Sequence, residues 1–160
     1  MVINGERLVD RAVRTLTDGG CDPVWVVLGA WTGEVLGARC IENHAWASGM
    51  GSSVAAGITA IAEAPEPIDA IAVTLVDLPG LTAPAVQRVC RAGHLAVATY
   101  HGSRGHPVVI PRQYWAELLS TLHGDRGARD FLQAHPEVDM VEVGDIADGT
   151  DLDVPEAPEA

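Results

Sequence analysis

The sequence predicts an α/β layered fold with a largely parallel sheet, and three observations carry that prediction. Runs such as VWVVLGA (Val24–Ala30) and AIAVTLV (Ala70–Val76) are continuously apolar, as in strands covered on both faces. Segments with helical apolar periodicity alternate with these runs, and the connections are short. With 160 residues and 48% hydrophobic composition, the chain can build one substantial core and is too short for two domains of ordinary size. A single domain over residues 1–160 is expected.

The elements are arranged in this order. ERLVDRAVRTL (Glu6–Leu16) places Leu8, Val9, Ala12, Val13 and Leu16 on one helical face, and Asp18-Gly19-Gly20 stops it. The strand Val24–Ala30 leads to a short helical turn at Thr32–Gly37 and a short strand RCIEN ending at Asn43. GMGSS then opens a helix from Ser52 to Ala64, closed by Pro65 and Pro67. Ala70–Val76 is the strongest strand and runs straight into DLPGL; a helix at Pro84–Ala92 comes next. LAVATY and VVIPR form a hairpin across the turn HGSRGHP, which mixes the last part of the sheet. Helical pieces at Tyr114–His123 and Ala128–Ala134 precede a last strand, VDMVEVG, and the acidic, Pro-containing tail from Asp145 reads as extended.

Composition removes several functional classes. A net charge of −12 repels phosphate backbones and anionic membranes, so neither nucleic acid nor a membrane is expected as partner. Cys21, Cys40 and Cys90 are odd in number, widely spaced and form no CxxC, which fits buried thiols in a reducing compartment and no zinc site. Charges interrupt the first apolar stretch, and no apolar run reaches membrane length, so a cytoplasmic location is expected.

Ligands of open α/β sheets gather at the carboxyl ends of the strands, and the chemically able residues fall there. Asp77 comes directly after a buried strand, with Pro79 and Gly80 shaping the turn: it serves either as a hard oxygen ligand for a divalent cation or as a cap for the next helix. Gly49 and Gly51 begin like a dinucleotide fingerprint, but Val54 stands where the third glycine belongs, and Ser48, Ser52 and Ser53 make no nucleophile elbow. Taken by itself, that stretch reads first as an ordinary capped, small-residue helix packed close to the sheet. His106 lies at a strand start, between Arg104 and Arg112 in sequence, and either meets a ligand or satisfies loop carbonyls. Arg126 and Arg129 suit phosphate recognition or are helix-start charges, with Asp125 favouring the positive end of that helix. Asp151 and Asp153 form a carboxylate pair in the tail.

Taken in order, WASGMGSSVAAGI, LVDLPGL, RGHPVVIP, GDRGARDFL and DLDVPE resemble the MobA-like NTP transferases over essentially the whole chain, and most nearly their molybdenum-cofactor cytidylyltransferase branch. That resemblance implies a Rossmann-like three-layer sandwich of the nucleotide-diphospho-sugar transferase kind. It implies transfer of CMP from CTP, or of another nucleotide from its NTP, to molybdopterin with release of pyrophosphate. Asp77 would bind Mg2+, with Asp153 as second ligand; Gly49, Gly51, Ser52 and Ser53 would lie near base and ribose. His106 would face the pterin, Arg126 or Arg129 would steady phosphate or substrate, and a molybdoenzyme hydroxylase or its chaperone would take the product.

The chain also departs from that pattern. The family opens with a strand and a Leu-Ala-Ala-Gly loop continuing to Arg-Met-Gly and Pro-Lys, whereas MVINGERLVDRAV matches the segment after that loop. The expectation is a natural chain that begins upstream of Met1 and carries it; the alternatives are a noncatalytic cofactor- or nucleotide-binding relative, a guanylyl-transferring member, or a plain interaction domain. Val154 and Ala157 replace Thr and Asp of the usual terminal motif.

Overall fold

Asn4 and Gly5 adopt φ of 51° and 83°, the left-handed pair that a two-residue hairpin turn needs. Val2–Ile3 (β1) and Glu6–Arg7 (β2) therefore pair antiparallel, and the first helix, α1, spans Leu8–Asp18 instead of starting at Glu6. This computed structural model describes residues 1–125 and 127–152. The remaining elements are β3 (Trp25–Leu28), β4 (Arg39–Glu42), α2 (Met50–Ala62), β5 (Ala70–Val73), α3 (Ala83–Cys90), β6 (Ala96–Tyr100), β7 (Ser103–Pro111), α4 (Trp115–Thr121), α5 (Gly127–Ala134) and β8 (Asp139–Glu142).

Two expectations change. Thr32–Gly37 forms no helix: Gly33 packs beneath the Trp31 ring, Gly37 takes φ of 77°, and the extended path carries Val35 into the core beside Val13, Val24 and Leu28. The hairpin turn is His101-Gly102 alone, with φ of 52° and 85°, so β7 already begins at Ser103 and Gly105–Pro107 belong to a strand.

A four-stranded sheet runs in the order β5-β7-β6-β8, and β3 pairs parallel with β4. β7 runs against both neighbours, while β6 and β8 are parallel. Strand faces alternate, so the two sides of the sheet bury different sets. Ile71, Val97, Val108 and Ile110 pack with Ile58 of α2, Leu118 of α4 and Phe131 of α5. Ala72, Ala96, Ala98 and Val109 meet Ala85, Val86 and Val89 of α3 on the other. Small residues on that face let α3 approach closely. The result is three layers, with α1 covering β3 through Val13 and Leu28.

Among the described residues β3 pairs only with β4 and β5 only with β7. A cavity of about 300 Å³ lies between these edges, lined by Val24, Trp25, Ala70 and Ile71 together with Cys21 and Cys90. Beyond it, Leu28 and Gly29 share a second cleft with Val76. The amino ends of β3 and β5 thus lie together, as do their carboxyl ends, and the two strands run in the same direction.

Glu142 at the end of β8 pins the hairpin turn. It accepts N–H bonds from His101 (2.8 Å), Gly102 (3.1 Å) and Gly144 (2.9 Å) and a hydroxyl from Thr99 (3.0 Å). These donors favour the carboxylate and hold its pKa down at about 2, against an ordinary 4.5. Its stabilising contribution is complete above about pH 4.5 and disappears as pH falls toward about 2. Glu142→Gln is expected to lower the melting temperature at neutral pH and to flatten the acid limb of a melting-temperature profile over that interval.

The thiols differ from their expected burial: Cys40 is exposed, and Cys21 and Cys90 are half-buried. No helix among the described residues is long and apolar enough to cross a membrane.

Candidate functional site

β5 ends at Val73, and the chain turns through Leu75–Gly80 at the carboxyl edge of the sheet. Arg11 of α1 donates its Nε–H to the Pro79 carbonyl at 3.0 Å, holding that turn from outside. Asp77 is not the cap of α3. The helix starts at Ala83 and is capped by Thr82, whose Oγ1 accepts from the Ala85 N–H at 3.3 Å. Asp77 Oδ1 is buried and has no hydrogen-bond partner among the described residues. A buried carboxylate oxygen with no donor is costly unless something outside the chain supplies one or a cation binds it.

The tail folds back over this turn. Asp148 N–H donates to the Gly80 carbonyl and Leu152 N–H to the Asp77 carbonyl, both at 3.0 Å. A Cβ on Gly80 would stand 2.7 Å from that of Asp148, so only glycine permits the crossing. Asp153 lies outside the described residues. Among the described residues, no three His, Cys, Asp or Glu side chains converge as a metal cluster. A hard cation that takes one or two protein oxygens and completes its shell with water and phosphate still fits the Asp77 carboxylate.

His106 joins the same edge from β7. Its Nδ1 lies 3.3 Å from the Val73 carbonyl, and Tyr100 donates its hydroxyl to the His106 carbonyl at 2.6 Å. Burial pushes the imidazole below its ordinary pKa, opposed by the Val73 bond and by the Asp77 charge. The ring is therefore neutral at pH 7, and with Nδ1 protonated toward Val73, Nε2 is an acceptor. Arg104 and Arg112 do not flank it in space. Arg112 lies at the opposite end of β7, where its guanidinium donates to the Ile68 and Ala62 carbonyls.

The glycine-rich start of α2 follows β4, the parallel partner of β3. Gly49, at φ 116°, precedes the helix, and the first N–H groups are already engaged: Met50 donates to Asp125 Oδ1 at 2.7 Å and Gly51 to the Gly124 carbonyl at 2.8 Å. A Cβ on Gly49 would meet Asp125 Oδ1 at 2.7 Å, and one on Gly51 would meet Gly124 O at 2.5 Å. The close approach these glycines allow is thus that of the Gly124-Asp125 loop. Asp125 offsets the positive end of α2, a helix distant in sequence, as well as preceding α5.

Ser52 and Ser53 accept hydrogen bonds from Asn43 Nδ2 at 2.8 and 3.0 Å, and Asn43 Oδ1 accepts the Ala45 N–H at 3.0 Å. Asn43 is only 7% exposed. It closes β4 and fixes the path into α2, a role that its position after a strand could have signalled but that its distant partners concealed. Asn43→Ala would take these bonds from the Ala45 N–H and the Ser53 hydroxyl and is expected to cost roughly 1–3 kcal/mol, measured by urea denaturation. Trp46 sits on the rim, 48% exposed, with its Cβ over Gly29. Arg129 is exposed in the first turn of α5, and Arg126 lies outside the described residues.

The end of β5 therefore brings a carboxylate oxygen with no partner among the described residues near a neutral imidazole, and the glycine-rich helix start follows the parallel β3–β4 pair. Such a set can hold a cation, position phosphate and accept a hydrogen bond from a ligand. Residues 1–138 match the family model of the MobA-like NTP transferase domain. Nicotine blue oxidoreductase from Paenarthrobacter nicotinovorans is 38% identical over 169 residues, covering 95% of this chain and 81% of the relative. A nucleotidyl transferase from Methanothermobacter thermautotroptrophicus shares the fold with a TM-score of 0.72 at 17% identity, covering 89% of this chain and 73% of its own. Rv0371c from Mycobacterium tuberculosis H37Rv, in its manganese complex, gives 0.65 at 19% identity, covering 89% and 79%. The shared fold is that of the nucleotide-diphospho-sugar transferases.

Proposed function

Since the chain belongs to the MobA-like NTP transferase family, we propose that it transfers CMP from CTP to molybdopterin and releases pyrophosphate. The observation that carries this reading is the buried Asp77 Oδ1, which has no partner among the described residues, in the turn after β5 and under the tail. Asp77 would hold Mg2+, and Asp153, one residue beyond Leu152, would be its second ligand. The cation would neutralise phosphate charge, which phosphoryl transfer needs more than covalent help.

The chain's own residues position the reactants. Asn43 fixes the Ser52 and Ser53 hydroxyls, which with Gly49 and Gly51 would border base and ribose. The neutral His106 would accept a hydrogen bond from the pterin, and the Tyr100 hydroxyl holds the backbone at His106. Arg126 and Arg129 would contact substrate phosphate. A terminal phosphate oxygen of molybdopterin then attacks the α-phosphorus of CTP, and the bond to pyrophosphate breaks in line. The dinucleotide product would pass to a molybdoenzyme hydroxylase or its chaperone.

A second reading has an observation of its own: the relative at 38% identity carries the name of an oxidoreductase. The two readings separate in one set of assays, with pyrophosphate release followed in Mg2+ with molybdopterin and either CTP or GTP, and bleaching of nicotine blue followed with a hydride donor. Release with CTP and not with GTP supports the proposal. Release with GTP alone moves it to guanylyl transfer, and bleaching without pyrophosphate release replaces it with redox chemistry.

A further inference from the structure

Cys21 and Cys90 are far apart in sequence and line the same cavity. Cys21 comes after the glycines that end α1, its N–H bonded to the Leu16 carbonyl, and Cys90 is the last residue of α3. Both pack against the apolar cluster of α3 and the adjoining sheet face. Both line the 300 Å³ cavity between β3 and β5, and both are only half-buried. The two thiols lie close enough to perturb each other's ionisation. Cys40 is exposed on β4 and lines neither wall of that cavity. Nothing in nucleotidyl transfer uses the pair.

We infer that Cys21 and Cys90 are a redox-responsive dithiol, reached through the β3–β5 cavity, which closes to an intramolecular disulfide by exchange with a small disulfide of the glutathione class. The Cys90 thiolate attacks one sulfur of that disulfide, forming a mixed disulfide and expelling one thiolate, which takes up a proton. Cys21 then loses its proton to solvent and attacks the Cys90 sulfur, expelling the second thiolate. Two protein thiols and one small disulfide become one protein disulfide and two small thiols, so the cysteines are oxidised by two electrons and the reagent is reduced by two. The order is set by the pair's own chemistry. The Cys21 thiol lowers the pKa of Cys90, while Cys90 and burial raise that of Cys21.

The bridge would join the ends of α1 and α3. These helices flank the Asp77–Gly80 turn, with Arg11 of α1 bonded to Pro79 and α3 beginning just after it. Oxidation would therefore fix the turn that carries Asp77 between two covalently linked supports.

The test uses the full chain with Cys40→Ser, which removes the exposed thiol, incubated across a series of glutathione disulfide to glutathione ratios and read by intact mass and non-reducing peptide mapping. The expected product has lost two hydrogens, yields a linked Cys21–Cys90 peptide, and reverts on reduction. The additional change Cys21→Ser is expected to trap one glutathione on Cys90. A stable glutathione adduct on Cys90 with no loss of two hydrogens when Cys21 is present would overturn the inference, because the sulfurs then do not meet. Failure of both thiols to react in the folded protein would overturn it too, because the cavity then gives no access.

Discussion

Asp77→Ala is expected to lower nucleotidyl transfer by roughly 10²–10³-fold while leaving the melting temperature unchanged or raised. The carboxylate has a buried oxygen with no partner among the described residues, so folding bears the cost of burying it, and removing it relieves that cost. A purely structural aspartate would behave in the opposite way. Helix α3 does not depend on it, since Thr82 supplies the cap. Steady-state pyrophosphate release and thermal melts on the same preparation separate the two effects. A variant that loses stability and activity together would assign Asp77 to the scaffold.

Phe131→Ala is expected to destabilise the fold by about 3–5 kcal/mol. The ring is 1% exposed, lies 4.3 Å from the His135 ring and 6.0 Å from the Tyr114 ring, and joins α5 to the cluster formed by α2, α4 and the sheet. The segment before α5 contains Gly124 and Asp125, which hold the start of α2, so the substitution should also loosen that helix end. Urea denaturation gives the first effect. Faster hydrogen exchange at the Met50 and Gly51 amides gives the second, and a loss below about 1 kcal/mol would mean that α5 is not docked as described.

The parts of the fold set by local pattern were legible in the sequence. The continuous apolar runs at Val24–Ala30 and Ala70–Val76 contain β3 and β5, and the small-residue helix packs close to the sheet, with Gly57 facing Val27 of β3. Local signals that competed were read less well. The Asn4-Gly5 turn took Glu6 and Arg7 into a strand ahead of the helical periodicity, and two left-handed residues at His101-Gly102 made a tighter hairpin than the run HGSRGHP implied.

The features that the sequence hid are non-local. The bond from Met50 to Asp125 spans 75 positions, and the two arginines around His106 separate because a strand carries them to opposite ends of the sheet. That Cys21 and Cys90 reach one cavity and one cluster depends on how α1 and α3 pack, which spacing alone does not show. Asp77 was open between ligand and cap until the position of Thr82 decided against the cap.

The central claim is that Asp77 makes nucleotide binding depend on a divalent cation. Calorimetric titration of CTP into the protein, in Mg2+ and again in EDTA, with Asp77→Asn alongside, tests it most directly. The account predicts saturable binding in Mg2+ that is lost in EDTA and lost in the variant. Equal binding with and without the cation, or a variant that binds as the unsubstituted protein does, would contradict it.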